Sequence, residues 1–453
     1  MEFDSLSFIL LMLPAFILLM YFIQSNKIRN LIILLFSFYF YLMTDITGSF
    51  ILFTVILITY LFSKFVEHNK KAYICYLIIV TAILTFFKYG NYILSSFETM
   101  NVNKIIMPVG ISFFIFTSIA YISDIYYEKI EADNNFIHIF TFLTFFPTIV
   151  SGPILRYSSF SKYLKKKEIT AQSIAIGFRG FTVGLAKKVI IANQLSTLVN
   201  AAFDIHCKLS TPLAWLSSIA FMLQLYYDFS GYSDMAIGIG TMIGFEIPEN
   251  FNYPYSSHSI QEFWQRWHMS LGSWFKDYVY IPLGGNRVSK VRWMINTMIV
   301  WSLTGLWHGS TSNYFLWGIW NGILIILYKI FLKNKKIPGI LSWLMTQFSV
   351  LIGFTIFRTI NLSHLKLYLS ALIGKAAPFS LLYIKQLDIV YLWLCLLLGI
   401  LFEVPAINKK IQTLLNKILF LYEIVILFLL FILISSIRVF INSNISFFSK
   451  ISS

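Results

Sequence analysis

Charged residues are scarce in this chain of 453 residues: Asp, Glu, Lys and Arg together make up 12%, about half the share that is usual in soluble domains. The mean hydropathy is +0.73, and 58% of the residues are hydrophobic. This composition excludes a soluble globular protein and predicts an integral membrane protein. Acidic residues are the rarer sign, 20 against 35 basic residues. Because the Lys and Arg lie in short loops between apolar runs, they favour a role in membrane orientation over nucleic-acid binding.

Cysteine is also rare. Cys75, Cys207 and Cys395 lie far apart, so we expect neither a disulfide framework nor a zinc site. The histidines show no HxxxH or HExxH spacing, which argues against the common helical metal sites and predicts that no metal is bound. The first apolar run, residues 6–23, lacks a preceding basic stretch and a small-residue cleavage site. It therefore predicts a retained membrane span rather than a removed signal peptide.

Long apolar runs recur along the whole chain, for example residues 50–63, 211–229 and 418–437. We count eleven to fourteen such segments, and their lengths match helices that cross a bilayer. The runs lack the alternation of barrel strands, so we predict an all-α integral membrane protein with many spans. Basic residues follow the first and third segments, at Lys27 and Lys64. The positive-inside rule then places both in the cytoplasm and the N-terminus outside.

Two apolar stretches are irregular. MPVGISFF (107–114) and FFPTIVSGPILR (145–156) carry proline and glycine within their apolar runs. Counting both as full spans would place the basic stretch SKYLKKKE (161–168) outside, against the positive-inside rule. We therefore expect one of them to enter and leave by the same face. Irregular backbone at membrane depth is tolerated only inside protein or along a wet cavity, so this region indicates a nearby site.

Two carboxylates interrupt the apolar stretch FMLQLYYDFSGYSDMAIGIGTMIGF (221–245), at Asp228 and Asp234 on either side of Gly231. A charged side chain near the bilayer centre costs roughly 2.5 to 3.5 kcal/mol on insertion scales, so each needs a partner or a wet cavity. Two interpretations remain open. The stretch is either a polar break where two helices meet, or a wall of a substrate cavity.

The stretch SIQEFWQRWHMSLGSWFKDYVYIPLGGNR (259–287) predicts an amphipathic helix. Ser259 followed by Glu262 is typical of a capping box, and Glu262 and Arg266 have the i, i+4 spacing of an ion pair. The aromatic residues fall on one stripe, so the helix is expected to lie at the membrane interface. The proline and glycines after it predict a turn that presents Asn286 and Arg287.

Two histidines lie in these apolar surroundings. On a helical wheel His268, next to Trp267, falls at the edge of the aromatic stripe and is expected to face protein or a cavity; the alternative is an ordinary boundary histidine. His308 ends the apolar run WSLTGLWH, after Trp307. An apolar environment favours the neutral imidazole, which can act as a general base. The alternative is a histidine that only packs between helices.

EFWQRWHMSLGSWFKDYVYIPLGGNR followed by TGLWHG resembles the membrane-bound O-acyltransferase (MBOAT) family, specifically its bacterial branch of alginate and peptidoglycan O-acetylation proteins. MPVGISFFIFTSIAYISDIYY, FFPTIVSGPILR and LQLYYDFSGYSDMAIGIGTMIGF support the resemblance. It covers residues 105–330 as a catalytic core. Residues 1–104 are then an N-terminal transmembrane bundle and residues 331–453 C-terminal transmembrane helices, within one membrane domain.

The resemblance implies a helical ring around a central funnel, with re-entrant and interfacial helices, where a cytoplasmic acyl donor meets an acceptor from outside. The family's invariant histidine corresponds to His308, and its second conserved polar position to His268. Both are expected to be catalytic, with the role of His268 open between substrate positioning and direct chemistry. Substrate and donor binding is expected from Trp267, Trp307, Arg266, Asn286, Arg287, Asp228 and Asp234.

The resemblance implies acetyl transfer from cytoplasmic acetyl-CoA, with no permanently bound cofactor, across the cytoplasmic membrane of a bacterium. The acetyl group would reach a polysaccharide through an extracytoplasmic SGNH-type transferase. Peptidoglycan is the first expected acceptor, since the Lys-rich and Ile-rich composition indicates an AT-rich genome; alginate or another exopolysaccharide is the second. Lys276, Arg287, Lys290 and Arg292 could attract the donor's phosphates or merely set topology. The alternatives are a transporter of an activated glycan and a non-catalytic scaffold.

Overall fold

The computed structural model describes residues 2–95, 105–204, 209–376, 389–403 and 405. Helices dominate these ranges and no strand occurs in them, which confirms the all-α prediction. Five helices are long and apolar enough to cross a membrane: Asn26–Thr44, Ile46–Ser63, Lys70–Leu94, Ser312–Leu332 and Gly339–Arg358. The predicted run 6–23 forms a shorter apolar helical segment, Phe8–Phe22. The run 211–229 lies in the 32-residue helix Thr211–Met242, which is not among the five, and the run 418–437 lies outside the described residues.

The N-terminal helices include three of these five spans. After a π-helical turn at Phe8–Met12, the helices are α1 (Leu13–Phe22), α2 (Asn26–Thr44), α3 (Ile46–Ser63), α4 (Lys70–Ser95), α5 (Ile111–Tyr126), α6 (Phe136–Thr144), α7 (Phe146–Ile149) and α8 (Tyr157–Lys165). One hydrophobic core joins α1–α4 to α5–α8, and it continues into residues 235–247 and 271–275. The N-terminal helices therefore pack directly against the region that carries the sequence motifs.

The irregular backbone predicted around residues 107–114 and 145–156 is present. Residues 105–110 are not helical, and α6 has nine residues, about 14 Å of helix against a hydrocarbon core of about 30 Å. Side chains of helix α2 form hydrogen bonds with two backbone groups of these irregular stretches. The Tyr41 hydroxyl donates to the Val109 carbonyl at 2.6 Å, and the Phe146 N–H donates to Ser37 Oγ at 3.2 Å. The irregular stretch 145–155 is thus largely buried in protein, as membrane depth requires, whereas Ile106 and Met107 in the other stretch are exposed.

The central helices are α9 (Ala171–Ala186), α10 (Asn193–Ala202) and α11 (Thr211–Met242), with a π-helical turn at Lys187–Ala192 between α9 and α10. Helix α11 continues unbroken through Asp228, Gly231 and Asp234, so these polar residues interrupt the apolar sequence but not the helix. Helix α9 lies against α11 so closely that a Cβ on Gly231 would meet the Gly184 carbonyl oxygen at 2.6 Å. Small residues at this crossing permit the close approach of the two backbones.

The predicted amphipathic helix is divided in two, α12 (Ile260–Arg266) and α13 (Met269–Phe275), and a π-helical turn follows at Lys276–Tyr280. His268 interrupts it because its backbone is left-handed, with φ of 45°. The start of the helix is as predicted: Ser259 accepts from the Glu262 N–H at 3.1 Å, and Glu262 pairs with Arg266 at 2.7 Å. The continuous helix was the wrong prediction, since a 3.6-residue pattern does not reveal a single left-handed residue.

The last described helices are α14 (Lys290–His308), α15 (Ser312–Leu327) with a π-helical extension to Leu332, α16 (Gly339–Arg358), α17 (Leu362–Leu372) and α18 (Ile389–Phe402). Helices α14 and α15 form a tight hairpin. A Cβ on Gly305 would meet the Tyr314 carbonyl oxygen at 2.4 Å, and one on Gly318 would meet the Trp301 carbonyl oxygen at 2.3 Å. This hairpin fixes the end of α14, where His308 lies.

Candidate active site in a tryptophan-lined cavity

A cavity of about 1140 Å³ lies among α12, α13, α14, α15 and α16, and it contains both candidate histidines in its wall. Its apolar lining includes Trp264, Trp267, Trp301, Trp317, Phe354 and Phe357. These residues come from helices that are distant in sequence. The fold therefore brings His268 of the RWH motif and His308 of the LWH motif to one cavity.

His308 is the last residue of α14, and aromatic rings orient it. The ring centroids of Trp317 and Phe357 lie 5.1 Å and 4.8 Å from that of the imidazole, both nearly perpendicular to it. The imidazole makes no hydrogen bond to any residue within the described ranges. The next residue is Gly309. A side chain at this position would clash, because its Cβ would lie 2.7 Å from the Tyr314 ring. An imidazole held by packing, with its nitrogens left available, suits a general base.

His268 is buried, with 5% of its surface exposed, and Asn250 holds it. The Asn250 side-chain oxygen lies 3.2 Å from His268 Nδ1 and accepts from the Ser270 N–H and hydroxyl at 3.1 Å and 2.9 Å. The Asn250 carbonyl also accepts from the Met269 N–H at 2.9 Å. Because an amide oxygen can only accept, Nδ1 carries the proton and Nε2 is the acceptor. Nε2 is buried and without a partner among the described residues.

Cationic and polar side chains line the other end of the cavity. Lys276, Asn286 and Arg287 lie there, and Lys329 joins them from the π-helical extension of α15, whereas Lys290 and Arg292 are not part of the lining. Lys329 Nζ lies 4.4 Å from the centroid of the Trp293 ring. From Trp293 to His308 the helix rises about 22 Å. The cavity thus has a basic end and an apolar end that contains the histidines.

The cavity face of α14 is a set of residues that the motifs did not single out. It consists of Trp293, Thr297, Val300, Trp301, Thr304 and His308. These positions follow the i, i+4, i+7 pattern of one helix face. Counting back from His308 at this spacing could have found them. Lys329 offered no comparable signal, because only the hairpin places it beside α14.

Four predicted binding residues lie outside the cavity lining. Arg266 pairs with Glu262 and donates to Ser256 Oγ at 3.0 Å. Asp228 pairs with Lys188 at 2.7 Å and Asp234 with Lys187 at 2.6 Å, across the α9–α11 crossing.

These ion pairs favour the helix-interface interpretation of Asp228 and Asp234, since charged side chains in membrane helices are usually paired. Their expected role in substrate binding stays a prediction. Trp307 is not one of the residues that line the cavity. The centroid of its ring is 4.4 Å from that of His308 and 6.3 Å from that of His268, so it contacts the histidines rather than the cavity.

Within the described ranges, no group of three or more His, Cys, Asp or Glu side chains is arranged to hold a metal ion.

Residues 126–374 match the family model of the membrane-bound O-acyltransferases. The chain is 37% identical over 380 residues to the probable alginate O-acetylase AlgI of Pseudomonas aeruginosa, which covers 80% of this chain and 73% of that protein. It is 34% identical over 338 residues to the peptidoglycan O-acetyltransferase of Helicobacter pylori, covering 66% and 64%. The teichoic acid D-alanyltransferase of Bacillus subtilis is 33% identical over 277 residues, covering 56% and 69%.

Proposed function

Because the chain belongs to the membrane-bound O-acyltransferase family and is therefore an acyltransferase of the membrane, we propose that it takes acetyl groups from cytoplasmic acetyl-CoA and passes them to a polysaccharide outside the cell. Relatives named as an alginate O-acetylase and a peptidoglycan O-acetyltransferase support acetyl as the group transferred. The relative named as a D-alanyltransferase transfers a different acyl group and matches a smaller share of the chain.

One observation carries the proposal: His308 and His268 line the apolar part of a cavity whose other end is basic. The thioester of acetyl-CoA joins an acetyl group to a long, phosphorylated carrier. Lys276, Arg287 and Lys329 suit the phosphates by charge. The tryptophan-lined part suits the uncharged arm and excludes water, which strengthens the polar interactions of the reacting groups.

The chemistry assigned to the histidines is general-base catalysis. The neutral imidazole of His308 takes the proton of the acceptor hydroxyl as its oxygen attacks the thioester carbon. The tetrahedral intermediate then expels the CoA thiolate, which receives the proton from His308. His268 holds an unprotonated Nε2 in the same cavity, suited to positioning the acceptor hydroxyl. Asn250 fixes that tautomer through Nδ1.

The acceptor outside the cell is a polysaccharide, reached through a separate extracytoplasmic transferase of the SGNH type. Composition favours peptidoglycan, whereas the relatives of highest identity and coverage among those compared are named alginate O-acetylases. The proposal therefore names both, and the acceptor assay separates them. The membrane is the bacterial cytoplasmic membrane, with the basic ends of the first helices in the cytoplasm.

The test is the release of free CoA thiol from acetyl-CoA by the protein purified in detergent, with peptidoglycan fragments, alginate or no acceptor present. Replacing His308 by Ala is expected to lower the rate at least about 100-fold, because the base contributes 10²- to 10⁴-fold. His68→Asn is the matched control: its side chain is 70% exposed, it pairs only with Glu128 at 3.0 Å, and Asn tolerates the positive φ of 54° there. Its rate is expected to equal the wild type.

The transporter and scaffold alternatives predict different results. A transporter or scaffold consumes no thioester in any acceptor condition. Cells that carry His308→Ala would then acetylate their wall or exopolysaccharide as the wild type does. That pair of results would overturn the acyltransferase chemistry proposed for His308.

A further inference from the structure

Lys88 is a cation within an apolar membrane helix, and the catalytic scheme above does not use it. It lies near the far end of α4, which is long and apolar enough to cross the membrane. Lys88 makes no ion pair and no hydrogen bond with any residue that the structure describes. An ionisable side chain inside a membrane helix is costly and points to a function.

The surroundings of Lys88 lead to the candidate site. Lys88 Nζ lies 5.0 Å from the centroid of the Trp307 ring. The next residue, Tyr89, donates from its hydroxyl to the Leu306 carbonyl at 2.5 Å. Two consecutive residues of α4 therefore contact the two residues that precede His308. The N-terminal helices thus support the end of α14 directly.

Trp307 connects Lys88 with both histidines. Its ring contacts that of His308 at 4.4 Å and that of His268 at 6.3 Å between centroids. Trp307 Nε1 is buried without a hydrogen-bond partner among the described residues. The position of the indole is therefore set by ring contacts and by the ammonium group.

Lys88 and His308 also match in depth. Each lies 18 residues after a basic residue at the start of its helix, Lys70 for α4 and Lys290 for α14, a rise of about 27 Å in both. With both starting residues at the cytoplasmic face, the ammonium and the imidazole are at the same level, on the side from which the acceptor arrives.

We propose that Lys88 is a positioning residue of the acyl-transfer site: it holds the indole of Trp307 by a cation–π contact, and through that indole it fixes the imidazole of His308. This inference rests on the acyl-transfer function proposed above. When the hydroxyl oxygen bonds to the thioester carbon, the carbonyl π electrons move to the oxygen, which becomes negative. His308 holds the hydroxyl proton. The C–S bond then breaks, the carbonyl re-forms, and the thiolate takes the proton. An imidazole that Trp307 holds in place takes up and returns this proton without first having to reorient.

The experiment compares Lys88→Met, Lys88→Arg and Lys64→Met in the thiol-release assay, with kcat and KM for acetyl-CoA measured separately. Met keeps the length of the side chain and removes the charge, whereas Arg keeps the charge and the cation–π contact. Lys64 is the matched control, because its Nζ lies 4.3 Å from the Tyr60 ring centroid, outside the cavity lining. We expect Lys88→Met to lower kcat about tenfold, the order of magnitude of a desolvated cation–π contact, with KM unchanged, Lys88→Arg to restore most of it, and Lys64→Met to match the wild type.

Three results overturn the inference. The first is a kcat for Lys88→Met equal to that of the wild type. The second is a kcat for Lys88→Arg as low as that for Lys88→Met, because the side chain would then matter for its fit rather than its charge. The third is an equal loss in Lys64→Met. A melting curve shows whether each variant is folded, and Lys88→Gln replaces Lys88→Met if that variant does not fold. If the wild type itself releases no thiol, the proposed function fails and the inference with it.

Discussion

At the scale of single residues, the backbone conformation of His268 decides how the RWH motif is used. A left-handed non-glycine residue is strained unless its surroundings hold it. Asn250 does so by accepting four hydrogen bonds, one at its carbonyl and three at its side-chain oxygen, from His268, Met269 and Ser270. The imidazole consequently leaves the helix stripe and enters the cavity wall. Asn250 is thus a support of the site that its position, eighteen residues away in sequence, did not reveal.

Replacing Asn250 by Ala is expected to destabilise the protein by about 1–3 kcal/mol, because the Ser270 N–H and His268 Nδ1 lose a buried acceptor. It should also lower kcat, since His268 is then free to rotate or change tautomer. The measurement is kcat for Asn250→Ala, His268→Ala and the double variant. If Asn250 acts through His268, the double variant is no slower than His268→Ala. Independent, additive losses would contradict this role.

At the scale of helices, glycine determines how close α9 and α11 lie, and the two ion pairs Lys187–Asp234 and Lys188–Asp228 depend on that closeness. A Cβ on Gly184 would lie 2.5 Å from the Gly231 carbonyl oxygen. Without a hydrophobic effect between helices in lipid, such packing and the polar contacts beside it hold the pair together. The carboxylates of α11 are therefore part of the helix contact.

Gly184→Ala is expected to lower stability by about 1–3 kcal/mol through overpacking at this crossing. Gly180→Ala on the same helix is the control, because its Cβ would meet only the Gly238 Cα, at an ordinary 3.6 Å. Thermal unfolding of both variants in detergent checks this, with a lower melting temperature for Gly184→Ala alone. Equal melting temperatures for the two would show that the backbones can separate without cost.

At the scale of the whole molecule, the two ends of the cavity differ in charge, so the cavity has one basic end and one apolar end. The basic end includes Lys276, Arg287 and Lys329, whereas His308 lies about 22 Å of helix beyond Trp293. The positive-inside rule places the basic end toward the cytoplasm. Under the proposed function, donor entry from inside and acceptor approach from outside would both follow from this one orientation of the chain.

Cysteine labelling checks that orientation in a variant whose three native cysteines are replaced by Ser. Ser7→Cys precedes the first helices, and Asn69→Cys lies in the loop between α3 and α4; both positions are exposed. A membrane-impermeant maleimide added to intact cells is expected to label position 7 and to reach position 69 only after the membrane is opened. The reverse pattern would place the basic end outside and contradict donor entry from the cytoplasm.

Local patterns along the chain were enough to predict the helices and the two histidines. Apolar runs of membrane length indicated the spans, because helix length and hydropathy are properties of one segment. The apolar surroundings of the two histidines, together with the resemblance of the RWH and LWH motifs to the family, identified His268 and His308 as candidate site residues. The cavity face of α14 could have been predicted in the same way, because helix periodicity is also local.

Contacts between distant segments settled the remaining features. Asp228 and Asp234 were expected near substrate, yet their partners Lys188 and Lys187 lie in the π-helical turn after α9. The left-handed turn at His268 depends on Asn250. Burial, pairing and strain arise only when segments far apart in sequence meet, so no pattern along the chain could assign them.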